Sequence, residues 1–229
     1  MKPQTDVLDT PGKRATPAPQ TAPFWDRTAR KYASDAIADA GGYERTLART
    51  VEFLSKNDRV LEIGCGTATT ALRLAAHVGH LSATDASLEM IKIAREKACD
   101  ADVANLELGH AWAGDRRFHG QSFDAILAFN VLHLVTDLPG TLASLRESLK
   151  PGGLLITKTP CLAEMNVVIP YLALPIARLI GKAPDVRVFS GTELAALVRQ
   201  SGFEIVAEER HGSKPGRDIR AFLVARAPI

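Results

Sequence analysis

The chain has 229 residues, with 28 Lys and Arg against 26 Asp and Glu, a net charge of +2 and 46% hydrophobic residues. These values are typical of one globular domain, and they argue against the concentrated positive charge that non-specific nucleic-acid binding requires. Three widely spaced cysteines without a CxxC pair argue against a disulfide framework and against a thiolate zinc site. We therefore expect a cytoplasmic protein without a metal site or a nucleic-acid partner.

Two segments differ in composition from the rest of the chain. The first 23 residues contain five prolines and no apolar core, so we expect a flexible tail over 1–22 and a single domain over 23–229. The apolar segment 161–183 is interrupted by prolines and polar residues, so it is not expected to span a membrane. Three interpretations of this segment stay open: a cap over a substrate pocket, a packed helix or homodimer interface, and a patch that touches lipid headgroups.

Helical and strand-like patterns alternate along the domain. They predict helices over 25–40, 43–55, 68–77, 88–98, 138–149 and 191–201. They predict strands over 58–63, 80–84, 105–108, 123–129, 154–158, 203–209 and 219–226. Strands that alternate with helices imply a parallel sheet covered on both faces, and two final strands without a helix between them imply an antiparallel hairpin at the sheet edge. The predicted fold is α/β and Rossmann-like, with a mostly parallel seven-stranded sheet and a C-terminal antiparallel hairpin.

Short signals mark where several of these elements begin and end. Ser87 is predicted to cap one helix, and the capping box over 190–193 is predicted to start another. Gly202 is predicted to end that second helix. Pro151-Gly152-Gly153 is predicted to stop a helix and to turn the chain into the fifth strand.

The strongest chemical signal is the segment Val60-Leu61-Glu62-Ile63-Gly64-Cys65-Gly66, in which a buried strand runs into two glycines. Gly64 and Gly66 let the backbone turn tightly and leave room for a ligand against it. Asp85 follows at the predicted end of the next strand, where a carboxylate can accept hydrogen bonds from both hydroxyls of a ribose. Together these residues predict a site for a nucleoside-containing cofactor at the carboxyl ends of the strands.

The same segment distinguishes between cofactors. Thr69 stands where the nicotinamide fingerprint has its third glycine or alanine, and no Gly-Lys-Ser/Thr of a P-loop follows the turn. The segment resembles motif I of class I S-adenosylmethionine-dependent methyltransferases, most closely the type-11 (ubiquinone-biosynthesis-like) group. Four further segments carry the resemblance: 84–90, 122–124, 130–133 and 149–153. Ala68 stands where a third glycine is common, and this departure is expected to be mild because alanine can start a helix.

The resemblance implies S-adenosyl-L-methionine as the cofactor and in-line methyl transfer to a small acceptor. It assigns cofactor binding to Tyr32, Glu62, Gly64, Cys65, Gly66, Asp85, Ala86, Met90, His110, Ala111 and Asn130. Glu62 would attract the cationic methionyl end, Asp85 would bind the ribose hydroxyls, and Tyr32 would close over the methionyl end. Relatives often have an aspartate where this chain has His110, so the adenine contact there would come from an imidazole.

His133 follows the predicted fourth strand, where a histidine could take a proton from the acceptor. Tyr32 is the second candidate for this catalytic role, and a histidine that only shapes the pocket is the alternative. Asn130 is not followed by the Pro-Pro-aromatic motif of DNA amino-methyltransferases, and the segment 161–183 is apolar. Both features favour a small, partly hydrophobic acceptor. Two other classes stay open: a non-catalytic S-adenosylmethionine-binding sensor or subunit, and an NAD-dependent oxidoreductase.

Overall fold

A computed structural model describes residues 21–115, 118, 120, 122–165, 183–212 and 219–229 of the chain. The helices in these ranges are α1 (Ala22–Ser34), α2 (Ala40–Val51), α3 (Thr69–Ala75), α4 (Leu88–Ala101), α5 (Leu138–Ser148) and α6 (Gly191–Gln200). The strands are β1 (Arg59–Ile63), β2 (His80–Asp85), β3 (Leu106–His110), β4 (Phe123–Phe129), β5 (Leu149–Pro160), β6 (Glu204–Arg210) and β7 (Arg220–Arg226). Nearly all of the predicted tail over 1–22, and 166–182 of the apolar segment, lie outside the described residues.

The seven strands form one sheet in the order β3-β2-β1-β4-β5-β7-β6. Strands β1 to β5 pair in parallel, whereas β7 runs antiparallel to both β5 and β6. This arrangement confirms the predicted Rossmann-like fold with its C-terminal hairpin. Because β7 runs in the opposite direction, its first residue, Arg220, pairs with Pro160 at the edge where the parallel strands end.

The central strands are buried on both faces of the sheet, as expected where helices cover both sides. Leu61 of β1 and Ile126 of β4 belong to an apolar cluster that includes buried leucines of α5 and α6. Val60 and Leu127, on the same strands, belong to a second cluster that includes residues of α3 and α4. Successive side chains of a strand point to opposite faces, so these two clusters are the cores on the two sides of the sheet.

Several predicted boundaries are wrong, and the structure gives the physical reason. The helix predicted over 25–40 ends at Ser34, and the next begins at Ala40 rather than at residue 43. Asp39 caps this second helix, because its Oδ1 accepts a hydrogen bond from the Gly42 N–H at 2.9 Å. The segment 151–153 does not precede the fifth strand but lies inside β5, where the pairing with β4 shifts register.

The helix starts predicted from Ser87 and from the capping box at Ser190 are confirmed. The Ser87 side chain accepts a hydrogen bond from the Met90 N–H at the start of α4. Ser190 and Glu193 form both halves of a capping box at the start of α6. Gly202, with a φ of 86°, follows the end of that helix. In the ranges that the structure covers, none of the helices is long and apolar enough to cross a bilayer.

Candidate active site

A cleft of about 840 Å³ lies at the edge of the sheet where the parallel strands end. Most of the residues singled out from the sequence lie on its wall: Tyr32, Glu62, Gly64, Cys65, Gly66, Asp85, Ala86, Met90, Asn130 and His133. The strand order reverses between β1 and β4, and open α/β sheets bind ligands at such a point. The structure therefore brings ten residues from four segments of the chain to one ligand-sized cavity.

His110 and Ala111 are placed differently from the other candidates. The neighbouring residues Trp112 and Ala113 lie on the cleft wall, whereas Ala111 is fully buried. The Ala111 N–H donates a hydrogen bond to the Asp85 carbonyl oxygen, and His110 Nε2 lies 3.0 Å from the Ala86 carbonyl oxygen. These contacts hold the end of β3 against the end of β2, and the adenine contact assigned to His110 stays a prediction.

The glycine turn after β1 requires two residues without side chains. Gly64 and Gly66 have φ values of 66° and 56°, in the left-handed region that glycine tolerates best. A Cβ on Gly64 would lie only 2.5 Å from Val131 Cγ2, so this position also lacks space. A Cβ on Gly66 would lie 3.7 Å from Tyr32 Cε1, which shows that the Tyr32 ring lies over the turn.

Ala68, in the third position of this turn, also has a left-handed backbone, with a φ of 57°. The reason given for a mild departure is wrong, because Ala68 does not start the helix but is the N-cap residue before it. A left-handed conformation costs a residue with a Cβ roughly 1–2 kcal/mol. The turn therefore keeps the backbone path that a third glycine would allow, at a cost in stability.

Asp85 connects the end of β2 to the glycine turn. Its Oδ2 accepts a hydrogen bond from the Gly66 N–H at 2.9 Å, and its Oδ1 accepts one from the Ser87 N–H at 2.8 Å. Burial raises the pKa of this carboxyl, whereas the two backbone bonds lower it. A carboxylate can accept about four hydrogen bonds in all. Asp85 can therefore brace the turn and still accept bonds from a ligand.

Glu62 is the most unusual group in the cleft. It is only 2% exposed, and its Oε2 is buried without a hydrogen-bond partner. Burial and the nearby Asp85 charge raise its pKa from 4.5 to about 8. A buried carboxyl without a partner is costly, and a cationic ligand would supply the charge that is needed to ionise it.

Buried polar atoms without partners concentrate at this cleft. Among the described residues there are six such side-chain atoms, and four of them belong to wall residues: Trp25 Nε1, Asp39 Oδ2, Glu62 Oε2 and His133 Nδ1. Native proteins satisfy nearly all their buried polar groups, so a cluster of exceptions requires an explanation. Their concentration marks this cleft as the candidate site for a polar ligand.

The environment of the cleft changes the pKa of three further side chains, those of Cys65, His133 and Tyr32. Burial raises the pKa of the Cys65 thiol well above its usual value, so this residue stays a thiol and not a nucleophilic thiolate. His133 lies in a 3-10 turn after β4, and burial together with the Arg220 charge lowers its pKa to about 4. Tyr32 is 53% exposed, yet loss of hydration and the Asp85 charge raise the pKa of its phenol. At neutral pH the imidazole is therefore uncharged and the phenol is protonated.

Two cations on the wall, Lys158 and Arg220, were not singled out from the sequence. Arg220 Nη1 donates a hydrogen bond to Asn130 Oδ1 at 2.8 Å, and the Asn130 N–H donates one to the Lys158 carbonyl oxygen at 2.7 Å. Asn130 has a φ of 54°, a left-handed backbone that this contact helps to hold. Lys158 could have been recognised from the sequence, because a charged residue is unusual in a strand that is otherwise apolar. Arg220 had no such signal, because its position depends on the direction of β7.

Comparisons with known proteins identify the family. A family model described as a methyltransferase domain matches residues 29–208. The chain belongs to this methyltransferase family. The chain is 36% identical over 103 residues to a demethylmenaquinone methyltransferase of Listeria monocytogenes, an alignment that covers 44% of each chain. The chain therefore matches less than half the length of that curated relative. The match confirms the resemblance drawn from the sequence motifs.

Solved structures share the fold of this methyltransferase. The [4+2]-cyclase SpnF superposes with a TM-score of 0.76 at 18% identity, over 93% of this chain and 96% of the cyclase. A phosphoethanolamine N-methyltransferase 2 of Haemonchus contortus, solved with phosphomonomethylethanolamine and S-adenosylhomocysteine, superposes with a TM-score of 0.75 at 16% identity. That superposition covers 92% of this chain and 61% of the other. At these identities the likeness establishes the fold alone.

Proposed function

We propose that this methyltransferase domain binds S-adenosyl-L-methionine in the cleft and transfers its methyl group to a small, partly hydrophobic acceptor. One observation carries the proposal: the buried Glu62 carboxyl, whose Oε2 has no partner, lies on the same wall as Asp85 and the glycine turn. The cofactor combines a positive charge with a ribose, and these residues offer an acceptor for each.

Each part of the cofactor has a candidate partner among the residues of the cleft wall. Glu62 would pair with the positive charge of the methionyl end, and the remaining lone pairs of Asp85 would accept from the ribose hydroxyls. Met90, which is buried, and Ala86 would contact the adenine from the start of α4. Tyr32 would close over the methionyl end, since its ring already lies above the glycine turn.

In this proposal the protein mainly positions two reactants and excludes water. The bound sulfonium supplies a methyl group that is already activated for displacement. Correct placement of two reactants can supply roughly 7–11 kcal/mol of the barrier reduction. His133 is the first candidate to receive a proton from the acceptor, because its Nδ1 is buried without a partner and its low pKa keeps it unprotonated. The raised pKa of Tyr32 favours a covering role over that of a base.

The nature of the acceptor is argued from the cleft and from a relative. Apolar wall residues such as Trp25, Phe129 and Leu134 favour a partly hydrophobic molecule. The Listeria relative is named for demethylmenaquinone, which supports a quinone-like acceptor or a comparable hydrophobic one. The role of 161–183 as a pocket cap, a homodimer interface or a lipid contact stays a prediction, as does a cytoplasmic location.

Calorimetry with S-adenosylhomocysteine, with NAD as the comparison ligand, tests the cofactor. We expect S-adenosylhomocysteine to bind and NAD not to bind, and the reverse result would support the oxidoreductase alternative. Incubation with a labelled methyl donor and a metabolite extract then tests the transfer. A labelled product supports an enzyme, whereas binding without transfer to any acceptor, including a panel of thiols and phenols, would support a sensor or subunit.

A further inference from the structure

Arg220 lies at the cleft because β7 runs antiparallel to its neighbours, so that its first residue is at the edge where the parallel strands end. As the first residue of β7 it pairs in register with Pro160, the last residue of β5. Its side chain extends beyond β5 to the end of β4, where Nη1 donates to Asn130 Oδ1 at 2.8 Å. His133 follows three residues after Asn130 and lies on the same wall. A guanidinium charge is thus held beside the candidate catalytic histidine.

A second cation lies on the same face of the sheet. Lys158 precedes Pro160 by two residues on β5, so both side chains point to one face. Lys158 is only 7% exposed, and its Nζ donates to the Gly42 carbonyl oxygen at 3.2 Å. Asp39, also on the wall, uses its Oδ1 to cap α2 at Gly42. The carboxylates of Glu62 and Asp85 belong to β1 and β2, two and three strands away from β5 in the sheet.

We propose that Arg220 selects an acceptor with an acidic hydroxyl, a phenol or an enol, which binds in the cleft as its anion. This inference rests on the proposed function. Lys158 adds positive charge to the same part of the cleft. Both cations would repel a protonated amine, so the arrangement disfavours amine acceptors. A hydrogen bond between ionised partners is shorter and stronger than a neutral one, which makes an oxyanion the preferred ligand of a guanidinium.

The weak basicity of His133 agrees with this class of acceptor. An imidazole with a pKa of about 4 is too weak a base for an ordinary alcohol, whereas it can pass the proton of an acidic hydroxyl on to solvent. The oxyanion electron pair then forms the bond to the methyl carbon, the carbon–sulfur bond breaks, and its electron pair stays on the sulfur. A cation and an anion become two neutral groups, and a site that excludes water favours such a step.

The test compares two probes of similar shape, 4-nitrophenol and 4-nitroaniline, on the protein saturated with S-adenosylhomocysteine. Calorimetry gives both affinities, and visible absorbance shows whether the phenol is bound in its ionised form. We expect 4-nitrophenol to bind about tenfold more tightly or better, as a phenolate, because hydrogen bonds to charged groups contribute more than neutral ones. Arg220→Gln should abolish this preference, and Arg220→Lys should retain part of it.

Arg226→Gln is the matched control, since Arg226 is an exposed residue at the opposite end of β7. It should leave the preference unchanged, and all variants should bind S-adenosylhomocysteine like the wild type. Equal affinity for the two probes, no binding of 4-nitrophenol, or an unchanged preference in Arg220→Gln would each overturn the inference. If S-adenosylhomocysteine itself does not bind, both the proposed function and this inference fail. If it binds and the preference is absent, this inference alone fails.

Discussion

The two ends of the cleft carry different ionisable groups and come from different parts of the sheet. At one end, the parallel strands β1 and β2 deliver Glu62 and Asp85 beside the glycine turn. At the other, the end of β5 and the start of the antiparallel β7 deliver Lys158 and Arg220. With strands about 4.8 Å apart, β2 and β5 are separated by about 14 Å. The acidic end suits a cationic methyl donor, and the basic end suits the acceptor.

This difference shows how one fold can keep its cofactor and vary its acceptor. The acidic end depends on a compact motif, in which Asp85 accepts from the Gly66 N–H and fixes the turn. The basic end depends on a contact between Arg220, at the start of β7, and Asn130, just after β4, two residues far apart in the sequence. A substitution at the hairpin can therefore change the acceptor end without disturbing the turn that would hold the cofactor.

Removal of His133, between the two ends, is expected to have the largest effect. His133→Ala should lower turnover about a hundredfold, the lower limit for loss of a group that assists proton transfer. Its affinity for S-adenosylhomocysteine should not change, because the acidic end is intact. Single-turnover kinetics with the identified acceptor and calorimetry give the two values. Unchanged turnover would leave His133 only a pocket-shaping role.

Asp85→Asn tests the acidic end. We expect affinity for S-adenosylhomocysteine to fall about tenfold or more, because the amide loses the charge with which Asp85 would accept from the ribose. The affinity for methylthioadenosine, which has the ribose but no amino acid end, should fall by the same factor. Asp124→Asn is the matched control, because Asp124 lies near the start of β4, at the opposite edge of the sheet. A loss of equal size in the control would show that the effect is not local to the cleft.

Glu62→Gln tests the same end of the cleft through the stability of the protein without ligand. The folded protein keeps a proton on Glu62 up to pH 8 or so, whereas the unfolded chain releases it above its ordinary pKa of 4.5. Stability is therefore lost as the pH rises towards 8. Relative to Glu62→Gln, the wild-type free energy of unfolding should fall by about 1.4 kcal/mol per pH unit from about pH 5 to about pH 8. If the free energies of unfolding of the two proteins changed equally with pH across this range, Glu62 would not hold the proton.

Much of the fold could be predicted because its signals are local. Alternating apolar segments indicated the strands, and Ser87 and the capping box at Ser190 marked helix starts that the structure confirms. The break between α1 and α2 was predicted too late in the sequence, because its position depends on the Asp39 cap, which an amphipathic pattern does not reveal. The strain at Ala68 was missed because the sequence does not show a backbone angle.

The candidate site was predictable at its acidic end and not at its basic end. Glu62, Gly64 and Asp85 lie close along the chain within one strand–turn–helix–strand unit, so their spacing in the sequence predicted that they would lie together. Arg220 becomes a neighbour of Asn130 only when β7 pairs antiparallel with β5, and residue spacing does not specify that register. The altered pKa of His133 likewise depends on burial and on Arg220.

The central claim is that Glu62 and Asp85 receive a cationic nucleoside, and proton release on binding tests it most directly. Calorimetry with S-adenosylmethionine at pH 7, in buffers of different ionisation enthalpy, counts the protons exchanged. With a pKa of about 8, Glu62 is mostly protonated before binding and should ionise beside the cation. We predict that the wild type releases about one proton more than Glu62→Gln and that its affinity rises as the pH approaches 8. Equal proton release in the two proteins, or affinity that falls over this range, would contradict the account.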